Sequence, residues 1–324
     1  MRNMTKENFS VCTLFEGDYG QGVAVLVNSL VHSGYCGVVY CGFRGPIPAW
    51  CRQYDTGATG SWSFDVSDRV RIEFLAIETE AHLTNYKPEF MLQLLDGTAT
   101  SVDGLYYVDP DIVVDEQWEW FEEWLSCGIT VCEDINSPLA EGHPRRVGWR
   151  RFFASHGIKL NYRSDGYANG GFVGVRRANI DFLLLWARLQ QHMWAAIGGA
   201  DRVGIAGGKL LSGMTGFGDC FGKTDQDALN AALEAWSGPV SILNGQAMGF
   251  KPGKAILPHA LGPKKPWRRR YILEALGGNP PTAADKAYWN MADRPIQIYS
   301  AMHLFRRRLS LRIAAALGRI IRRN

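Results

Sequence analysis

Leu105-Tyr106-Tyr107-Val108-Asp109-Pro110-Asp111-Ile112-Val113-Val114 is an apolar run with two carboxylates set into its second half. Successive side chains of an extended segment alternate faces, so Asp109 and Asp111 are expected on one side, where a buried strand reaches solvent. Adjacent carboxylates repel, and a hard divalent cation such as magnesium or manganese relieves the repulsion by taking their oxygens. Pro110 has no amide hydrogen to give a sheet ladder, which suits a strand that ends there. Two solvated acids in a turn after a core strand satisfy the same pattern, so this D-x-D does not decide the matter by itself.

Outward from this run the chain reads as an α/β protein. Phe9–Phe15 is expected to be a first buried strand, followed by the glycine-rich loop Glu16–Gly22 and a helix over Val23–His32. Open α/β sheets begin this way and bind ligands at the carboxyl ends of such strands. The loop has neither the dinucleotide-binding nor the P-loop spacing. Gly37–Gly42 and Arg71–Ile77 read as further strands, and Pro88–Leu95 as a helix with Lys87 just outside its first turn. Glu116–Leu125 carries an aromatic stripe at helical spacing that suits core packing. Asn169, Gly170 and Gly171 precede an apolar strand, where glycines serve either close approach to a ligand or a tight turn.

A helix is expected over 178–197, and the nine glycines from Gly198 to Gly222 suggest a mobile excursion. Thr224 reads as the N-cap of the next helix, with Asp225 and Asp227 in its first turn. Short strands are expected at Val240–Leu243 and Met248–Phe250, ahead of the basic loop His259–Trp267.

With 324 residues, 46% hydrophobic and 21% charged, the chain has ordinary globular composition and room for one large domain or two. Polar residues 1–10 predict no secretory signal, and no run approaches the roughly 20 apolar residues that span a bilayer. Seven cysteines without C-x-x-C spacing read as reduced thiols of a cytoplasmic protein, neither a disulfide frame nor a zinc site. Charge is uneven: eight arginines and no acid lie from Arg294 onward, whereas residues 1–293 hold 27 basic and 32 acidic residues.

From Phe305 the tail has Phe305, Leu309, Ile313, Leu317, Ile320 and Ile321 on one helical face, flanked by arginines. Such a helix lies in the interface of an anionic membrane or docks on the protein's own acidic body. Nucleic acid is not expected as a partner, because aromatics are not interleaved with the basic residues.

His259-x-x-Gly262-x-x-Lys265-Pro266-Trp267 resembles the H-x-x-G-x-x-K-P-W signature of retaining glycosyltransferase family 8, the group of glycogenin and the bacterial lipooligosaccharide galactosyltransferases. The other signals follow that family's order: Asp18 and Tyr19, Lys87, the D-x-D, Asn169-Gly170-Gly171, and Asp225-Gln226. The resemblance covers roughly residues 9 to 267. It implies a GT-A fold, a Rossmann-like mixed sheet flanked by helices, over 1–272, with a basic amphipathic helical extension over 273–324.

It further implies a metal-dependent hexosyltransferase that moves a hexose from a nucleotide diphosphate sugar, a UDP-hexose, to a glycan or glycolipid acceptor at the inner face of the plasma membrane. Asp109, Asp111 and His259 would hold Mn2+ or Mg2+. Leu14, Phe15, Asp18, Tyr19, Lys87, Gly262 and Lys265 would bind the nucleotide. Asn169, Gly170, Gly171, Asp225 and Gln226 would bind the sugar, with Asp225, Gln226 and Lys265 in the catalytic machinery. Glu16-Gly17, an insertion near Asp96–Gly104, and Gly171 depart from the family's pattern. A non-catalytic sugar-nucleotide-binding protein of the same fold, or a D-x-D phosphohydrolase with Asp109 as nucleophile, are the competing readings.

Overall fold

In the computed structural model, which describes residues 7–54, 62–202 and 220–321, the apolar half of the opening stretch is strand β5 (Gly104–Val108). All five of its residues are buried, as expected of a strand covered on both faces. The strand stops at Val108, so the two acids ride on a turn beyond it instead of alternating along it; the Ile112 amide donates to the Asp109 carbonyl at 3.0 Å. Val108 also ends a structural unit. One unit comprises Met1–Leu14, Ile77–Val108 and Glu122–Gly245; the other comprises Phe15–Ala76, Asp109–Phe121 and Gln246–Asn324.

In the first unit, β1 (Phe9–Glu16, entering the second unit at Phe15) pairs parallel with β5. β5 pairs antiparallel with β7 (Ala168–Arg176), β7 antiparallel with β6 (Ile129–Glu133), and β6 parallel with β8 (Val240–Leu243). Neither β6 nor the helix α4 (Pro144–Ser155) stands out from sequence: one is a five-residue segment, the other is rich in arginine. Helices α2 (Lys87–Asp96), α5 (Ile180–Ile197) and α6 (Thr224–Ala235) pack with the strands, and Trp149, Phe172 and Trp186 lie fully buried in this core. α3 (Trp118–Leu125) carries the aromatic stripe; its Trp124 stacks on Phe172, confirming the packing role. The glycine-rich excursion falls largely on 203–219, outside the described residues.

Two local expectations need correction. Thr224 is the first residue of α6, not its cap: its hydroxyl donates to Asn85 Oδ1 at 2.9 Å, while Asp227 reaches back to accept from the Lys223 amide at 2.7 Å. Asn169, Gly170 and Gly171 lie inside β7 rather than ahead of it. Gly170 and Gly174 are required by packing, since a Cβ would lie 2.7 Å from Asp225 Oδ2 at the first and 2.2 Å from Thr130 Oγ1 at the second.

The second unit holds β2 (Gly37–Arg44) parallel to β4 (Val70–Ala76), and β3 (Ser63–Ser67) antiparallel to β4. Phe15, Phe43 and Phe74 pack ring on ring beside them. α1 (Gly20–His32) starts three residues earlier than its apolar run suggests, after a 3-10 turn over Gly17–Tyr19. Buried Asn28 on α1 is fully used: its amide donates to the Met291 and Ile296 carbonyls, both at 2.9 Å, and its oxygen accepts from the Ile296 amide at 2.7 Å. The strand expected at Met248–Phe250 is a turn.

The C-terminal extension belongs to this unit. α7 (Tyr271–Leu276), α8 (Ala283–Met291) and α9 (Ala301–Ile320) bury Tyr271, Trp289, Leu304, Leu311 and Ala314 in one cluster. Arg307 donates to the Pro266 carbonyl at 2.7 Å and the Arg269 carbonyl at 2.9 Å, and lies over the Trp289 ring at 4.6 Å. α9 therefore docks on its own unit through Leu304, Leu311 and Ala314, with Leu317 of the face read from sequence packed against the same cluster and Phe305, Leu309, Ile313 and Ile320 left exposed.

Glu89, in the first turn of α2, buries both carboxylate oxygens without a hydrogen-bond partner among the described residues. Burial pushes its pKa up from 4.5 to about 7. Between these values the folded chain binds more protons than the unfolded chain, so this group makes stability fall as pH rises through the window and level off above about 7. Glu89→Gln should flatten that dependence and gain stability relative to wild type at pH 8 but not at pH 4, as read by urea unfolding at the two pH values. An unchanged difference between them would place the titration elsewhere.

Candidate active site and metal centre

The turn after β5 is fixed by backbone pairing with a segment more than 140 residues away in sequence. The Val113 amide donates to the Pro258 carbonyl at 3.1 Å, Asp115 to Ile256 at 2.9 Å, and Ala260 to Asp111 at 3.1 Å, with Ile112 and His259 bridged. α1 supports the turn from beneath. A Cβ on Gly22 would lie 2.2 Å from the Pro110 carbonyl oxygen, and the Ser29 hydroxyl accepts from the Val114 amide at 3.0 Å.

This pairing brings Asp109, Asp111 and His259 together, with one ligand-type atom from each within 4.8 Å of the others. His259 Nε2 lies 3.3 Å from Asp111 Oδ1 and 3.9 Å from Asp109 Oδ2. Its Nδ1 is buried with no partner among the described residues, so the ring's polar engagement is with the two acids. Two carboxylates and an imidazole are donors that a divalent metal ion accepts, and the three residues fit such an ion.

Lys265 completes the cluster by donating to Asp111 Oδ2 at 2.5 Å and to the Ala260 carbonyl at 2.8 Å. Burial alone would raise the Asp111 pKa; the His259 imidazole and the Lys265 ammonium outweigh it and hold this carboxyl well below the usual range. Burial opposes the Lys265 charge in turn, but Asp111 raises its pKa on balance. Lys265 is thus a fixed cation, and it occupies an oxygen that a divalent ion would use.

Around this centre, Gly262 has φ of +79°, which explains the glycine in the basic loop. Tyr19 packs edge-on against Trp267 at 5.6 Å, with the Lys265 ammonium 5.5 Å from its ring centre. Asp18 is bound by Trp267 Nε1 at 2.9 Å and by the Arg268 guanidinium; hydrogen bonding to Arg268 outweighs partial burial and lowers its pKa. Arg268 has no place in the sequence expectation, although it directly follows the signature tryptophan. Leu14 and Phe15 are buried in β1, with Phe15 committed to aromatic packing.

The remaining expected site residues form a second cluster, in the first unit. Lys87, 1% exposed, donates to the Gly170 carbonyl at 2.8 Å and to Asp225 Oδ2 at 3.2 Å, and lies 4.9 Å from the centre of the Tyr107 ring. Asn169 donates to Asp134 Oδ2 at 2.7 Å and to Gln226 Oε1 at 3.3 Å, while its own oxygen accepts from the Gly171 amide at 2.8 Å. Asp134 was missed from sequence; its only signal is an acid directly after a short apolar segment. Gln226 Nε2 is buried without a partner among the described residues. Asp225 is held between Lys87 and the bare backbone of Gly170, while Asn230, one turn along α6, clamps Ala168 at 2.7 and 2.9 Å.

Because Lys265 competes for an Asp111 oxygen, Lys265→Ala should tighten the binding of Mn2+ added alone, roughly tenfold if ~1.4 kcal/mol of competition is removed. Asp111→Ala and His259→Ala should weaken it, as measured by electron paramagnetic resonance of free Mn2+. Equal or weaker affinity in Lys265→Ala would show that the ammonium does not compete.

No family model matches the chain, and no curated protein matches it by sequence. Its fold is similar to solved structures. The bifunctional glycosyltransferase WbbM aligns with a TM-score of 0.52 at 13% identity over 95% of this chain, which spans only 53% of WbbM. An active-site mutant of LgtC aligns at 0.51 and 13% identity over 90% of this chain and 98% of LgtC. The galactosyltransferase LgtC in complex with donor and acceptor sugar analogues aligns at 0.50, with the same identity and coverage. At this identity the likeness establishes the fold: mixed α/β, the GT-A arrangement that the sequence led us to expect.

Proposed function

We propose that the chain is a metal-dependent retaining glycosyltransferase that moves a hexose from a nucleotide diphosphate sugar, with UDP-hexose the first candidate, to a glycan or lipid-linked acceptor. The observation that carries this reading is the convergence of Asp109, Asp111 and His259 beside the fixed cation Lys265. A nucleotide diphosphate sugar transfers its hexose by losing a nucleoside diphosphate, and the charge that builds on this leaving group has to be neutralised. A bound Mn2+ or Mg2+ supplies Lewis-acid stabilisation of that charge.

Lys265 adds a second positive charge for the diphosphate, and the basic loop offers backbone beside it at Gly262, where a Cβ would meet nothing within 4 Å. Tyr19 and Asp18 serve the nucleoside. Lys87 serves the nucleotide part of the donor, and Asn169, Gly170, Gly171, Asp225 and Gln226 serve the sugar, with Asp134 fixing the rotamer of Asn169. Retention is reached by attack on the face the leaving group departs from. The acceptor oxygen bonds to the anomeric carbon as the bond to the phosphate oxygen breaks, and that oxygen takes the acceptor proton. Asp225, held by Lys87, orients the sugar and does not attack it. A glycosyl adduct trapped on Asp225 would overturn this order of events.

The reading is tested by following UDP release from a panel of UDP-hexoses with Mn2+ and with chelator. Turnover should require the ion, and Asp111→Ala, His259→Ala and Lys265→Ala should each lose on the order of 10²-fold or more in kcat. Lys265→Ala should show this loss despite its tighter metal binding. Turnover indifferent to chelation, or binding without turnover of any donor, would favour a different chemistry or a sugar-nucleotide-binding protein of the same fold.

A further inference from the structure

Pro266 lies between two residues of the candidate site, and its carbonyl is held by two donors from outside the basic loop. The Tyr271 hydroxyl donates to it at 3.0 Å, and the Arg307 guanidinium of α9 donates at 2.7 Å. The same guanidinium donates to the Arg269 carbonyl at 2.9 Å. One side chain thus bridges the turn in which the Arg268 and Arg269 amides donate to the Lys265 carbonyl, at 2.8 and 3.2 Å. A planar fork of donors suits such a double contact, whereas lysine offers a single ammonium. Arg307 is itself fixed: its guanidinium lies 4.6 Å from the centre of the Trp289 ring and 5.1 Å from that of Tyr271, and Trp289 Nε1 donates to the Tyr271 hydroxyl at 2.8 Å.

Both neighbours of Pro266 face the site. Lys265 is on Asp111, and Trp267 binds Asp18 and packs on Tyr19. Tyr288 of α8 lies 5.4 Å from the Trp267 ring and shares a 2.8 Å hydrogen bond with Tyr299, whose hydroxyl donates to Gln21 Oε1 on α1 at 2.7 Å. The ring-locked φ of Pro266 ties the Lys265–Pro266 peptide plane to the Pro266 carbonyl. Holding that carbonyl therefore sets where the Lys265 side chain leaves the backbone.

We propose that Arg307 is a positioning residue for Lys265. From 41 residues beyond Pro266, the C-terminal helix holds the backbone on which this ammonium pivots, and so keeps it in reach of Asp111. The inference deepens the proposed function and rests on its use of Lys265 as the cation beside the metal centre.

Arg307→Met removes both carbonyl contacts and keeps an unbranched stem over Trp289. Arg308→Met is the control, because Arg308 also donates from α9 to backbone carbonyls, those of Trp289 at 2.9 Å and Asn290 at 3.4 Å, but not to the basic loop. Amide hydrogen exchange of the full chain without ligand reads the hold on the loop. Exchange at the Arg268 and Arg269 amides, relative to the buried amides of α1, should quicken about tenfold in Arg307→Met and stay unchanged in Arg308→Met. Titration with Mn2+ alone, followed by electron paramagnetic resonance, reads the consequence for Lys265. Arg307→Met should bind the ion about threefold more tightly than wild type, and the same substitution in a Lys265→Ala background should change nothing. Arg307→Lys, which keeps a donor, should fall between wild type and Arg307→Met. Unchanged exchange at the two amides would overturn the proposal. So would unchanged Mn2+ affinity in Arg307→Met, or an equal shift in Arg308→Met or in the Lys265→Ala background, since Arg307 would then serve stability alone. Should wild type bind no Mn2+, the metal reading fails, and the exchange rates alone then support or overturn the hold on the loop.

Discussion

Asp111 is the point on which the second unit depends. Its backbone carbonyl takes the Ala260 amide, one side-chain oxygen faces His259 and the other holds Lys265. A buried carboxylate without such partners would be costly to ionise, and two cationic or imidazole neighbours from a distant segment turn that cost into a stable anion. The arrangement stores a negative pair next to a positive group in little space. On this charge pattern rests the proposed recognition of a divalent ion together with a diphosphate.

Much of this was legible in the sequence. β5 and β1 are buried apolar runs, and runs of that length bounded by glycine, proline or acids have few other outcomes. The short β6, the arginine-rich α4 and the edge strand β3 left no such signature, because their burial is decided by what packs on them. The mistaken strand at Met248–Phe250 has the same origin: a brief apolar segment whose backbone is used in turns ahead of the Ile256–Ala260 pairing.

The candidate site shows the same division. Composition and spacing flagged Asp109 and Asp111, and a nine-residue signature flagged His259 and Lys265, but no periodicity predicts that residues 111–115 and 256–260 pair. Asp134 and Arg268 were missed because each meets the expected site residues through a partner, Asn169 or Asp18, that only the fold brings near. Gly170 and Gly171 of β7 read from sequence as serving either close approach to a ligand or a tight turn, and Gly174 carried no such reading. Two of them are explained by side chains that crowd the backbone, Asp225 at Gly170 and Thr130 at Gly174. The tail was read as one amphipathic face, whereas α9 carries two, and the face that docks is not the one with the larger side chains.

The central claim is that one divalent cation is held by residues 109, 111 and 259. Anomalous diffraction from crystals of the full chain grown with Mn2+ and UDP tests it most directly. The account predicts a single strong manganese peak in contact with Asp109, Asp111 and His259, with Lys265 moved off Asp111 onto the diphosphate. A peak elsewhere, or ordered UDP with no ion at these three residues, would contradict it.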